Sequence, residues 1–355
     1  MGRVDFQMGL DRTGLKTGLK RAEGDVKRSA RGMRTALASI GGALAIGGAV
    51  RLLAQFEQSM ATVKAVTGAT EVQFKALTEQ AKQLGIETKF SAKQAAEGML
   101  ALARAGLTVE QTMEALPTTL KLAQAGALGL GDAADIVTNV MAGMRLEVED
   151  LGRVGDVLAK VANSSNTSVQ ELGQAFSYAA PIANLFELSV EDTAAALGLF
   201  SNNGIKADRA GTALNNVLAR LTNRTTKGEK ILAKYNLGYD DLDVSARGLV
   251  PVLEKLEGAN ISVADSMALF AIRGAAGGNI LAGQKKEFLE LSKKANNAGG
   301  ELDKVAEIMG DNLNGAILRL SSAAQGLILE LGEDKGLAGI VDGLAAALRF
   351  AADNA

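Results

Sequence analysis

Cysteine and histidine are both missing from these 355 residues. Without cysteine there are no disulfides and no thiolate chemistry, and the redox compartment is left undetermined. Without histidine there is no His-dependent zinc site, no Ser-His-Asp triad and no Cys-His pair. Aromatic residues make up 4 %, tryptophan is absent and prolines number 3, so little in the chain interrupts a helix. The formal net charge is −2, which gives the whole chain no strong pull on nucleic acid. The first residues do not read as a secretory signal. Charges run from Arg3 to Arg34, and the first long apolar stretch starts at Thr35.

Hydrophobic residues are 47 %, enough to bury a sizeable core, and much of that share is alanine. Alanine is the strongest helix former, and its small side chain lets helices approach closely. No stretch alternates apolar and polar residues for long enough to predict a sheet. Only Val244 and Leu249–Val252 suggest a short extended piece. The fold class expected is therefore all-α: an irregular array of short-to-medium helices.

Four regions differ in composition. Residues 1–34 form a basic N-terminal helix with a weak apolar stripe at Leu15, Leu19, Ala22, Val26, Ala30 and Met33. Residues 35–50 are an uncharged Gly/Ala-rich segment between Arg34 and Arg51. Small residues recur there at Gly41, Ala45 and Ala49, and again at Ala43 and Gly47, which on a helix gives a smooth face for close backbone contact. Gly41, Gly42, Gly47 and Gly48 make an isolated helix costly, at ~1 kcal/mol per glycine relative to alanine. The candidate site residues are accordingly Gly41, Gly42, Ala45, Gly47, Gly48 and Ala49, for helix packing or for membrane contact. The segment is shorter than the ~20 residues a spanning helix needs. Residues 51–335 are the helical core, and 336–355 begin an apolar C-terminal helix that reads as truncated.

Within the core, helix starts are marked by capping boxes: Ser91 with Gln94, Thr108 with Gln111, Ser168 with Glu171. The first helix stacks Ala95, Met99 and Leu102 and stops at Gly106. Pro117 predicts a kink or break in the second. Asp132 opens a helix through Ile136, Val140 and Met144. Leu151, Val154, Leu158 and Val161 mark another, which Asn163–Asn166 breaks. Ser168 opens one running toward Pro181, Ser189 opens one ending near Gly204, and residues 207–221 form the next. The openings at Ser91, Thr108, Ser168, Ser189 and Ser262 are unevenly spaced, which predicts an array rather than a regular solenoid.

No catalytic or cofactor motif emerges. Gly126–Gly131 lacks the preceding strand and the Gly-Lys-Ser/Thr of a phosphate loop and reads as an interhelix loop, as Gly274–Gly278 reads as a tight helix junction. Glu191-Asp192 suits the first turn of a helix, and Asp240, Asp241 and Asp243 lack calcium-loop spacing. No cofactor and no metal is expected. An enzyme built on this chain would have to use two carboxylates or a Ser/Lys pair.

Several segments resemble the phage tail tape measure protein family. They are VDFQMGLDRTGLKTGLKRAEGDV near the start, FEQSMATVKAVTGATEVQFKALTEQAKQLG at 56–85 and TKFSAKQAAEGMLALARAGLTVEQTMEALP at 88–117. GLGDAADIVTNVM follows at 129–141, VLAKVANSSNTSVQELGQAFSYAAPIA at 157–183 and GIKADRAGTALNNVLARL at 204–221. LFAIRGAAGG at 269–278 and LNGAILRLSSAAQGLILELGE at 313–333 resemble the family's closing helices. The resemblance implies a structural, coiled-coil-containing ruler that sets tail length, scaffolds the tail tube and leaves ahead of DNA at genome ejection. Implied partners are the tail tube protein, tail assembly chaperones, distal tail or baseplate hub proteins and several copies of itself in the tail lumen. Host membrane contact on ejection is the alternative role, carried by residues 35–50. Sequence-specific nucleic acid binding and enzymatic activity are not implied. The implied locations are the virion tail lumen, the host cytoplasm during assembly and the host envelope on ejection. Family members usually run on well beyond such a core, which makes these residues a fragment or a short tape.

Overall fold

A computed structural model describes residues 43–326 and 328–330, and every regular element among them is helical. Residues 1–42 and 331–355, and with them the basic helix, Gly41, Gly42 and the apolar C-terminal stretch, lie outside the described residues. Two units divide the chain, one comprising 1–55 with 327–355 and the other Phe56–Gly326. In the first, the described residues 43–55 and 328–330 are helical.

Helix α1 spans Ala43–Thr67, and its residues from Phe56 on open the main unit with a buried stripe at Phe56, Met60 and Val63. Then come α2 (Glu71–Glu87), α3 (Ala92–Arg104), α4 (Val109–Ala125), α5 (Leu130–Met144), α6 (Leu151–Ser164), α7 (Val169–Leu185), α8 (Val190–Asn202) and α9 (Asp208–Thr222). α10 (Thr226–Lys234), the short α11 (Val244–Arg247), α12 (Leu249–Ala259), α13 (Val263–Gly283), α14 (Lys285–Asn296) and α15 (Glu301–Gly310) follow, and residues 313–326 are helical too.

Alternate helices share a layer. α3, α5, α7, α9 and α13 pack side by side in chain order, and α4, α6 and α8 form a second layer beneath them. The chain then turns back. α14 lies on α8 and α6, α15 lies on α6 and α4, and the last helix reaches the α2–α3 link, where Ser322 Oγ donates to the Lys89 carbonyl. The result is a stack of helical hairpins with a return layer.

The array is irregular overall, yet its first layer has a period that the caps alone did not reveal. The N-caps of α3, α5, α7 and α9 are Ser91, Gly129, Ser168 and Ala207, spaced 38, 39 and 39 residues apart. Counted from each cap, the fourth residue (Ala95, Ala133, Leu172, Gly211), the seventh (Gly98, Ile136, Ala175, Leu214) and the eleventh (Leu102, Val140, Ala179, Leu218) are buried in all four. This is the 3–4–7 stripe of a helix packed on neighbours. Only Ser91 and Ser168 of the four caps carry a side-chain capping box, so reading by caps hides the period.

Small residues set the spacing between these helices. A Cβ on Gly173 of α7 would lie 2.4 Å from Ile136 Cγ1 of α5, and one on Gly211 of α9 would lie 2.3 Å from the Ala175 carbonyl oxygen of α7. Neither distance is compatible with any side chain, so the helices approach as closely as backbone allows.

Several expectations change. α4 runs as one helix through Pro117. Proline lacks the N–H that would reach the carbonyl four residues back, which leaves Met113 without its helical donor. Gln80 Nε2 of α2 supplies the missing hydrogen bond at 2.7 Å. Pro181 likewise lies inside α7, and Asn215 Nδ2 of α9 donates to the Tyr178 carbonyl in the turn before it at 2.7 Å. Val244 and Leu249–Val252 are helical rather than extended. Asp243 caps α11 through the Ala246 amide, and Gly248 at φ 79° separates α11 from α12. Asp132 sits in the first turn of α5, two residues inside its start. Gly274–Gly278 lie within α13, whose non-helical point is Ala271 at φ 58°. Those glycines serve contact instead: a Cβ on Gly278 would meet the Phe270 ring at 2.8 Å. Gly126–Gly129 does form the α4–α5 link.

Three substitutions test this account by urea denaturation. Gly211→Ala is expected to destabilise by about 1–3 kcal/mol through overpacking, although alanine is the better helix former. Gly152→Ala in α6, where nothing lies within 4 Å, is expected to be neutral or to stabilise by about 0.4–1 kcal/mol. Gln80→Leu is expected to cost about 1–3 kcal/mol by stranding the Met113 carbonyl, and no cost in Gln80→Leu would remove the explanation for the unbroken α4.

Candidate functional site

Several polar side chains join the return layer to the second layer. Gly300 caps α15 without a side chain, so the first amides of that helix need acceptors from elsewhere. Asp156 of α6 supplies them: its carboxylate oxygens accept from the Gly300 amide at 2.9 Å and the Leu302 amide at 2.8 Å. One turn on, Lys160 pairs with Glu301 at 3.1 Å. Lys121 of α4 pairs with Asp303 at 2.6 Å, and Gln124 Nε2 donates to the Ala306 carbonyl at 2.5 Å. At α14, Ser292 Oγ donates to Asp192 at 2.6 Å. Glu191, the neighbour of Asp192, is buried and takes Arg153 at 2.8 Å. The acids at 191–192 thus sit in the first turn of α8, where Ser189 caps the Asp192 amide, and they also tie three helices together.

These contacts tie the helices together. A carboxylate that acts as general acid or base at neutral pH works best with its pKa raised toward neutrality. The described carboxylates with shifted values lie elsewhere and are lowered. Asp265 is held below the usual carboxylate range, first by the Lys234 hydrogen bond and then by the Tyr235 hydroxyl. Asp241 is lowered first by the Gly238 amide and Glu110 by the Gln73 side chain. Arg153 is raised first by its hydrogen bond to Glu191, and Lys285 by its hydrogen bond to Glu257. Among the described lysines and arginines, Lys89 is lowered, by burial. Among the described residues no three acids, histidines or cysteines gather in a metal-holding group.

An open cleft of about 470 Å³ lies between α2 and α4. Leu84, Phe90, Pro117 and Leu120 give it an apolar lining, and Gln83, Glu87 and Lys121 add polar groups.

The glycine-rich candidates fall at the start of α1. Ala45, Gly47, Gly48 and Ala49 are helical, while Gly41 and Gly42 lie outside the described residues. Gly48 is exposed, with no heavy atom within 4 Å of the place a Cβ would occupy. No helix among the described residues is long and apolar enough to cross a membrane. Sequence reading missed Asp156 and Lys160, because a cap supplied from another helix leaves no local motif.

Asp156→Ala removes a cap, worth about 0.5–2 kcal/mol. Hydrogen exchange is expected to speed up at the amides of α15 and to stay unchanged in α5 and α7. Unchanged exchange in α15 would show that the carboxylate does not hold the return layer.

The profile of the family described as phage-related minor tail protein matches residues 78–272. That span runs from within α2 to the Ala271 break inside α13. The chain is 28 % identical over 331 residues to the tape measure protein of Pneumococcus phage Dp-1, covering 91 % of this chain and 28 % of that protein. It is 27 % identical over 289 residues to the probable tape measure protein of Escherichia phage P2, covering 78 % of this chain and 36 % of that one. No solved structure matches. The chain spans about a third of the length of these curated relatives. A hairpin stack whose charged groups serve to hold helices together fits that match, and the chain belongs to the phage-related minor tail protein family, among the tape measure proteins.

Proposed function

We propose that this chain is a structural segment of a phage tape measure, without catalytic activity, that sets tail length, scaffolds the tail tube and leaves ahead of the DNA. The observation that carries the reading is the match to tape measure proteins along 91 % of the chain. The structure supports it through the repeated hairpin, a unit that can be added or removed without disturbing a catalytic centre. The partners in this reading are the tail tube protein, assembly chaperones, distal tail or baseplate hub proteins and further copies of the chain in the tail lumen. The alternative role, contact of residues 35–50 with a host membrane on ejection, rests on their sequence.

Removing residues 130–168, one 39-residue period, from the whole gene tests it by electron microscopy of tails. If the segment lies in the tube as extended helix, tails shorten by roughly 60 Å, from 1.5 Å per residue. If the hairpins stay stacked, tails shorten by about 10 Å, one helix-to-helix spacing. Tails of unchanged length would contradict a ruler role for this segment.

A further inference from the structure

Helix α13 is folded back on itself in the middle. Ser266 Oγ donates to Asn279 Oδ1 at 2.6 Å, although the two residues are 13 apart in sequence. In one continuous helix they would stand about 20 Å apart, at roughly 1.5 Å per residue. A Cβ on Gly278 would lie 2.8 Å from the Phe270 ring, and one on Gly274 would lie 3.4 Å from the Phe270 Cβ. The first half of the helix therefore lies against the second, with the buried Phe270 seated where these glycines leave room. The second half rests on the body of the stack: a Cβ on Gly277 would lie 3.2 Å from Phe200 of α8 and 3.3 Å from Val217 of α9. The first half is tied to α10, where Lys234 Nζ and the Tyr235 hydroxyl each donate to Asp265 at 2.9 Å.

The reversal is made at Ala271, with φ 58° and ψ 170°. Glycine takes that conformation readily, whereas a residue with a Cβ is strained there. The chain itself uses glycine for the same conformation between α11 and α12, at Gly248 with φ 79° and ψ 164°. At 271 it places alanine, the strongest helix former, and Val263–Gly283 holds no proline. Local preference and fold thus conflict at one residue. Returning Ala271 to helical φ and ψ joins the two halves into a single 21-residue helix.

We propose that α13 is a strained latch with two states, folded back or straight, and that Ala271 is its pivot. Opening breaks the Ser266–Asn279 bond, lifts Phe270 off Gly274 and Gly278, and carries α10 away with the first half. The closed state is also held by Lys285 of α14, which pairs with Glu257 of α12 at 2.8 Å. The strain at Ala271 opposes these contacts and sets how readily they give way. Such a latch operates whether or not the segment measures tail length.

Spin labels on Val263→Cys and Gly283→Cys, both exposed positions, report the state in the full 355-residue chain, which has no other thiol. With the halves side by side the distance is short, and in the straight helix the labels stand about 30 Å apart. Phe270→Ala empties the glycine seat and is expected to move the distribution to the long distance, with helix content unchanged by circular dichroism. Adding Ala271→Gly to that variant is expected to lower the long population roughly 10-fold, because glycine is relaxed at the fold-back and is the poorer helix former. A Phe270→Ala chain that keeps the short distance would overturn the proposal, as would an added Ala271→Gly without effect. A broad distribution with lost helix content would overturn it too, since the segment would then melt instead of straightening.

Discussion

Where α7 and α9 cross, the backbone oxygen of Ala175 occupies the space a side chain on Gly211 would need, and at Gly173 the Ile136 side chain fills that space. Contacts this close make the stack. Short helices bury little area singly, and most of their stability comes from packing rather than from propensity. With alanine and glycine along the seams, each helix meets its neighbours on both sides and in the layer beneath at small separation, and dispersion contacts accumulate. The fully buried Ala95, Ala133, Ala179, Ala180, Ala194 and Ala195 carry little transfer energy each, but they remove the bulk that would hold the backbones apart. Large side chains, among them Leu102, Leu116, Phe176 and Phe200, then fill the spaces between the layers.

The return layer is held by a different kind of contact. Asp156 caps α15, Lys160 and Lys121 pair with its first-turn acids, and Ser292 bonds Asp192. Leu302 still inserts beside Gly155, so the contact is not purely polar. Partly exposed ion pairs contribute little each and weaken with salt, whereas the apolar seams of the stack do not. The two sets of contacts therefore respond to different conditions.

Much of this was legible in the residues. Ser91-Gln94, Thr108-Gln111 and Ser168-Glu171 gave helix starts to the residue, because a capping box is local chemistry. The all-α class followed from alanine and from the lack of alternation. The proline break was wrong because its remedy, Gln80, lies 37 residues away on another helix. The period of the first layer was hidden because Gly129 and Ala207 cap without side chains, and only the buried positions reveal it. The clamp at Asp156 had no local signal. The small-residue segment at 41–49 was visible as composition, and of that segment the structure describes exposure at Gly48.

The central structural claim is that the chain turns back along its own second layer and does not continue as a single row of hairpins. Spin labels on cysteines replacing Lys121 and Asp303, 182 residues apart in sequence, measure this directly in a chain with no other thiol. A single short inter-label distance is the predicted result. A long or broad distribution would contradict the return layer.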